Sequence, residues 1–415
     1  MRDDVVIIGG GQAALSCAVR LRESGHEGEI AIVGEERWLP YQRPPLSKTF
    51  LVGRMDIDRL SLRPQEFFEK SRIVVHTGQR VIRIDRSRQE VELSGGGRLG
   101  YAKLVMATGS RARTLPNDRT KDLAGLLTLR TIDDAEVLRQ ALIDASRVLV
   151  IGAGYIGLEV AAISAGMGHQ VTVVEIADRI LNRVACAQTA QVVADLHMGH
   201  GVKLITRIGL DRFSASGGRV TGALLTDGSE IPADLVVVGI GGVANDELAA
   251  ASGLAVANGI VVDRFCQTSD PNILAAGDCA KFPFEERMVR LESVQNAIDQ
   301  GIAVANVIAG KPAEYKPVPW FWSDQYDAKL QSVGLPFDYD QVIALRTARA
   351  DGSAFCYVRA GHAIAVDTIN DAKTHMAARR MFGSNGRLPA ELLLNPQFDL
   401  IQHVRTGLQE ASVVH

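Results

Sequence analysis

One pattern occurs twice in this chain, and it limits the possible folds more than any other feature. VVIIGGGQAALSCAVRLRESGHEGEIAIVGEE fills residues 5–36, and VLVIGAGYIGLEVAAISAGMGHQVTVVEIADR fills residues 148–179. Each copy is an apolar run, a glycine cluster, a helical pattern and a second apolar run that ends in an acid. An unbroken apolar run such as Val5–Ile8 suits a parallel strand buried on both faces. Gly9 permits a tight turn out of that strand. Gly11 lets a pyrophosphate approach the backbone, and the small Ala14 lets the helix pack close to the sheet, with Ala13 beside it as a further cofactor-binding candidate. The helix N-terminus then offers N–H groups and a positive dipole end to phosphates. Glu35 ends the second run, where a carboxylate can hold ribose hydroxyls. The second copy supplies Gly152, Gly154, Gly157 and Glu175 in the same places. A lone G-x-G-x-x-G is a weak signal, but here its whole strand, turn, helix, strand and acid context recurs. Two units predict two dinucleotides, a tightly held FAD and an exchangeable nicotinamide cofactor. A carboxylate at Glu175 accepts from a 2′-OH and repels a 2′-phosphate, which favours NADH over NADPH. Arg179 and Arg183 lie near enough to soften that preference, although exposed arginines are usually solvated surface.

The remaining bulk properties narrow the class. A chain of 415 residues is too long for a single core. Its net charge of −3 gives no sign of a nucleic-acid partner. No stretch approaches the ~20 apolar residues of a membrane-spanning helix, and no basic-then-apolar leader precedes the first strand. Five scattered cysteines, Cys17, Cys186, Cys266, Cys279 and Cys356, contain no C-x-x-C pair. A disulfide framework, a zinc site and a dithiol redox motif are therefore not expected, and a cytoplasmic, reducing location is. His197 and His200 form an H-x-x-H pair with no third ligand in view, and they read as structural.

Further motifs follow in order: RPPLSK (43–48), ATGS (107–110), LRTIDDA (129–135), GAGYIGLE (152–159), TSDPNILAAGDCA (268–280), ESVQNA (292–297) and WFWSDQY (320–326). With GGGQAA (9–14), they resemble the FAD-dependent ferredoxin reductases that serve bacterial oxygenases, of the putidaredoxin reductase type. The likeness runs from about residue 4 to about residue 370. It implies an α/β, glutathione-reductase-like flavoprotein: two Rossmann-like dinucleotide-binding domains plus a C-terminal α+β interface domain. The expected boundaries are 1–108 with 239–316 for a discontinuous FAD domain, 109–238 for the NADH domain and 317–415 for the interface domain. The last segment does read differently, with short alternating stretches at AFCYVRA (354–360) and AIAVDTI (363–369) that suit antiparallel strands.

The resemblance also assigns residues. Asp278 would hold the ribityl chain of FAD beside Gly277, Arg130 would meet its pyrophosphate, and Arg43 would meet its phosphates or the ribityl side. Val81 would meet the adenine, and Val294 and Gln295 the pyrimidine end of the flavin. Ala107, Thr108, Gly109 and Gly241 would line the crossings between domains. Tyr155 would cover the flavin face until nicotinamide displaces it. Ile156 lies beside it in the NADH motif, and Glu159, one turn on, would hold the carboxamide. Trp322 would line the acceptor site. Lys48, at the end of the proline-stiffened YQRPPLSKTF, would set its ammonium beside the flavin. Tyr155, Glu159 and Lys48 are thus the candidate catalytic residues.

The implied reaction takes a hydride from NADH to FAD. It then passes single electrons to a [2Fe–2S] ferredoxin, which feeds a cytochrome P450 or another oxygenase. A monomer or weak homodimer is expected. Thiol-based relatives fit poorly, because Cys17 has no partner at C-x₄-C spacing and residues 42–46 are QRPPL. The alternatives kept open are a signalling or scaffold flavoprotein like apoptosis-inducing factor, and a rubredoxin or small-molecule reductase. The helical segment from Ser293 to Gly310 carries no Lys or Arg, so weakly electrostatic docking of an acidic ferredoxin is expected.

Overall fold

The computed structural model describes residues 4–115, 123–384 and 386–413. Its contacts divide the chain into two compact units.

The first unit comprises Met1–Arg43, Met55–Arg111 and Gly242–Pro317. Its centre is a five-stranded parallel sheet in the order Ile273–Ala275, Lys103–Met106, Val5–Ile8, Ile30–Val33 and Ile73–His76. Val5–Ile8 and Ile30–Val33 are buried along their whole lengths, as their unbroken apolar runs require. Helix Gln12–Glu23 follows the first strand and packs against helix Val294–Ile308. A three-stranded antiparallel meander, Val81–Asp85, Glu90–Leu93 and Arg98–Gly100, precedes Lys103–Met106.

The second unit comprises Pro44–Arg54, Ala112–Gly241 and Val318–His415. It repeats the same design. A parallel sheet runs in the order Lys203–Ile205, Gln170–Val174, Arg147–Ile151, Leu235–Val238 and Leu126–Leu127. Helix Tyr155–Gly166 links its first repeat strands, and a meander over Leu210–Ser216, Arg219–Leu225 and Glu230–Pro232 echoes the earlier one. Beyond it stands a five-stranded antiparallel sheet in the order Trp320–Gln325, Ala328–Gly334, His362–Ile369, Ser353–Arg359 and Gln341–Ala344. Helix Ala372–Gly383 covers it, closing a core that includes Val333, Val366, Ala378 and Met381. The two alternating stretches expected to be antiparallel strands are adjacent partners in this sheet.

One segment groups differently from the expected 1–108 domain. Pro44–Arg54 belongs with the second unit. Its apolar residues explain why. Leu46, Phe50 and Leu51 are buried, the 3₁₀ turn Pro44–Ser47 packs against helices Ile132–Asp144 and Tyr155–Gly166, and the Arg139 guanidinium lies 5.5 Å from the Phe50 ring.

Candidate dinucleotide and redox sites

The first glycine turn lies in the first unit. Gly9 has φ +115°, and a Cβ there would collide with the Ala107 carbonyl oxygen. The strand-to-helix turn and the ATGS segment therefore touch backbone to backbone. Gly11 is the N-cap of helix Gln12–Glu23, with no side-chain cap, and a Cβ there would meet nothing within 4 Å. Unsatisfied helix N–H groups facing open space form an anion cradle. Ala13 and Ala14 are buried beneath it.

The neighbouring loops are fixed by hydrogen bonds. The Thr108 hydroxyl donates to the Asn245 carbonyl at 2.6 Å, and the Asn245 amide returns a bond to the Thr108 carbonyl at 2.9 Å. Gly109 accepts at its carbonyl from the Asn245 N–H at 3.0 Å. Ser110 donates to the Asp278 carboxylate at 3.2 Å, and Gly277 donates its N–H to Gln300 at 2.7 Å. Gly277 also lies against Ala13, with 3.0 Å between a built Cβ and the alanine methyl. Gly9, Ala13, Ala107, Thr108 and Gly277 are thus brought together.

The other expected residues of this unit are more dispersed. Glu35 is largely exposed and 3.6 Å from Arg80. Val81 is buried at the start of its meander. Val294 and Gln295 open the helix capped by Ser293, and Gln295 donates to Asp299 at 2.6 Å. Arg43 is held at 2.6 Å by Glu36 and at 2.8 Å by the Tyr41 hydroxyl. Sequence reasoning missed Glu36. Its only signal was an acid a few residues before the arginine.

The second turn repeats the geometry. Gly152 has φ +98°, and a Cβ there would sit 2.5 Å from the Gly239 carbonyl oxygen. Gly154 caps helix Tyr155–Gly166 without a side-chain bond and faces nothing within 4 Å. Gly157 takes the place held by Ala14 in the first copy, and a Cβ on it would strike the Gly152 carbonyl. Glu175 lies at the end of strand Gln170–Val174, where its carboxylate accepts from Ala153 N–H at 2.7 Å and Ala177 N–H at 2.9 Å. These bonds turn it toward the glycine loop. Arg183 lies over Gly241, with one guanidinium nitrogen 3.0 Å from a built Cβ. Arg130 precedes a capping box in which the Thr131 hydroxyl and the Asp134 carboxylate satisfy each other's N–H groups. Its own N–H also donates to Asp134, at 2.9 Å. Ile156, beside Tyr155, is 44% exposed.

The three candidate catalytic residues also lie in this unit. Glu159 is buried, and one of its oxygens is 3.1 Å from the Lys48 ammonium. Ser323 donates to that same oxygen at 2.6 Å, and Ser47 donates to the other. Burial pushes the Glu159 carboxyl up from its ordinary range, while Lys48, Ser323 and Ser47 pull it down. A carboxylate has about four acceptor positions, so three donors leave room for one more. Lys48 is also 3.7 Å from Asp324 and 5.9 Å from the Trp322 ring centroid. Tyr155 stacks on Phe321 with centroids 4.4 Å apart and planes 29° apart, and burial pushes its phenol upward. Nothing in the sequence marks Ser47 or Ser323 as a partner of Glu159, although Ser47 adjoins Lys48 in RPPLSK and Ser323 adjoins Trp322 in WFWSDQY.

The cysteines offer nothing comparable. All five are buried and unpaired. Burial pushes the thiols of Cys266 and Cys356 up to about 12, far from a reactive thiolate.

Similarity to known proteins agrees with this geometry. Residues 3–301 match the pyridine nucleotide-disulphide oxidoreductase family, and residues 320–404 match the Reductase C-terminal family. The chain belongs to the pyridine nucleotide-disulphide oxidoreductases. Within them it is a reductase of the putidaredoxin reductase type. Rhodocoxin reductase of Rhodococcus erythropolis is 43% identical over 400 residues, covering 95% of this chain and 93% of that protein. The crystal structure of the ferredoxin reductase for the CYP199A2 system from Rhodopseudomonas palustris is 41% identical, with a TM-score of 0.93, covering 97% of this chain and 100% of that one. The reductase of the covalent putidaredoxin reductase–putidaredoxin complex is 39% identical, also with a TM-score of 0.93, covering 97% and 98%.

Proposed function

We propose that this chain is an FAD-dependent NADH:ferredoxin reductase. It takes a hydride from NADH and passes single electrons to a [2Fe–2S] ferredoxin that supplies a cytochrome P450 or another oxygenase. The observation that carries this reading is the pair of uncapped, unobstructed glycine turns at Gly11 and Gly154. The residues fit the cofactors, because each turn leaves open the space that a Cβ would fill and a pyrophosphate needs. FAD, when bound, supplies the conversion of a two-electron hydride into two one-electron steps.

The chain's own residues bind, orient and set charge. Gly9, Gly11, Ala13 and Ala14 seat one pyrophosphate on a helix N-terminus, and Glu35 takes ribose hydroxyls. Val81, Ala107, Thr108, Gly109, Gly277, Asp278, Val294 and Gln295 complete the FAD set, with Arg43 and Arg130 as charge partners. Gly152, Gly154, Ile156, Gly157 and Gly241 seat NADH. Glu175 selects the unphosphorylated ribose, and Arg183 flanks it. Glu159 keeps one acceptor position for a carboxamide N–H. Lys48 stabilises negative charge on the flavin ring, Tyr155 gates the nicotinamide, and Trp322 lines the route to the acceptor. No general acid is required.

The absence of a cysteine pair and the burial of every thiol disfavour disulfide reduction. Among the described residues, no helix is long and apolar enough to cross a membrane. The cytoplasm is the proposed compartment, in keeping with five unpaired cysteines. An anaerobic titration tests the cofactor half of the proposal. The purified protein should carry one FAD per chain and bleach fully with one equivalent of NADH. A colourless protein that gains no flavin on incubation with FAD would refute it.

A further inference from the structure

His197 and His200 touch none of the residues proposed to bind cofactor directly. His197 ends inside helix Ala187–Gly199 and is fully buried. A buried imidazole needs partners for its ring nitrogens. Its Nε2 lies 2.8 Å from the side-chain oxygen of Gln325, and its Nδ1 makes a long 3.5 Å contact with the Tyr326 hydroxyl. An amide oxygen only accepts, so Nε2 carries the proton and Nδ1 accepts from Tyr326. Burial pushes the imidazole's pKa down, which keeps that neutral form. His200 stacks on the same tyrosine ring with centroids 3.7 Å apart and planes 12° apart. The histidine pair therefore clamps the tip of the hairpin formed by Trp320–Gln325 and Ala328–Gly334.

The chain of donors continues inward. The Gln325 amide, its oxygen committed to His197, donates to the Ser323 hydroxyl at 3.1 Å. Ser323 has its own proton left to give, and it donates to Glu159 at 2.6 Å. Gln325 and Ser323 are two apart on one strand, so they share a face. His197, Gln325, Ser323 and Glu159 are all buried. Each link points the same way, toward a carboxylate.

We propose that His197 is a positioning residue of the reductase: through Gln325 and Ser323 it fixes the orientation and charge of the Glu159 carboxylate that faces Lys48. This rests on the reading that the Lys48–Glu159 pair belongs to the redox site. The physical basis is cooperativity, since hydrogen bonds in a polarised buried chain strengthen one another. The amide link rules out proton conduction, because its oxygen and NH₂ cannot exchange roles without a flip. The chain orients and holds charge. The titratable groups around Glu159 are Lys48, Asp324 beyond that ammonium, and Tyr155 one turn back on its own helix.

The test is infrared spectroscopy of the FAD-loaded protein labelled at glutamate, with the Glu159 carboxyl band assigned by its loss in Glu159→Gln. His197→Phe and Gln325→Leu should each raise the Glu159 titration midpoint by about one unit, a tenfold change in the ionised ratio. His197→Gln, which keeps a donor near the Nε2 position, should restore it. If His197→Phe does not fold, Gln325→Leu alone carries the test. A midpoint unmoved in a variant with normal flavin content overturns the chain. If the midpoint moves but Glu159→Gln leaves the rate of hydride transfer from NADH unchanged, the redox-site reading fails, and the positioning role with it.

Discussion

Replacing Lys48 with methionine isolates the charge that the Lys48–Glu159 contact carries. The two groups are 3.1 Å apart, with side chains 18% and 5% exposed. At an effective dielectric of about 20, their Coulomb attraction is roughly 5 kcal/mol. Removing one partner of such a buried pair typically costs about 3–5 kcal/mol, because the other charge is left uncompensated. Glu159 can limit that cost by taking up a proton. Carrying a neutral glutamic acid, with an unfolded pKa near 4.3, costs about 1.36 kcal/mol per pH unit above that value. The ceiling is therefore about 5 kcal/mol near pH 8 and about 1.6 kcal/mol near pH 5.5. The sign follows from the raised folded pKa. Folded Lys48→Met protein binds more protons than the unfolded chain above pH ~4.3, so the variant gains stability as pH falls. Urea unfolding followed by circular dichroism, at fixed excess FAD and at both pH values, gives the comparison. The penalty of Lys48→Met should shrink at least twofold at the lower pH, and Lys48→Met/Glu159→Gln should recover most of it. A penalty that ignores pH, or a double variant as unstable as the sum of the singles, would refute the reasoning.

Other substitutions probe separate parts of the structure. Gly11→Ala and Gly154→Ala place a methyl in open space at negative φ, so both should fold with normal circular dichroism. Gly11→Ala should lose FAD, and Gly154→Ala should keep FAD but raise the KM for NADH by about tenfold or more. Glu175→Ala removes the proposed ribose acceptor and should cut the NADH-to-NADPH ratio of kcat/KM about tenfold, read from steady-state rates with each cofactor. His375 is 1% exposed with neither ring nitrogen bonded, and burial pushes it down to about 4. Unfolding would let it take a proton below its ordinary 6.5, so stability should fall by up to about 3 kcal/mol between pH 6.5 and 4. His375→Phe should flatten that part of the stability profile.

What the sequence discloses depends on how local the cause is. The two parallel sheets are legible because Val5–Ile8 and Val148–Ile151 are apolar without interruption and lead into glycines whose positive φ the turn demands. The antiparallel sheet is legible from the alternation in AFCYVRA and AIAVDTI. The grouping of Pro44–Arg54 with the second unit is not, since it comes from Leu46, Phe50 and Leu51 burying against helices far along the chain. Nor does anything local reveal that Arg43 is tied to Glu36 and Tyr41, or that Glu175 folds back onto Ala153. The partners of Glu159 show the same limit. Lys48 and Glu159 are each recognisable by motif, but their pairing, and the hydroxyls of Ser47 and Ser323 that join it, exist only once three distant segments meet. His197 is legible only as half of an H-x-x-H pair, and its partner is the Gln325 amide on a strand far along the chain.

The most direct measurement is stopped-flow reduction followed by electron transfer. The FAD-loaded protein is reduced anaerobically with NADH and mixed with an oxidised [2Fe–2S] ferredoxin, a rubredoxin, an aromatic disulfide or dissolved oxygen. A ferredoxin reductase should bleach rapidly with NADH. It should then reoxidise in one-electron steps at least tenfold faster with the ferredoxin than with the disulfide or oxygen. Rapid bleaching followed by equal, slow reoxidation with every acceptor would contradict the assignment.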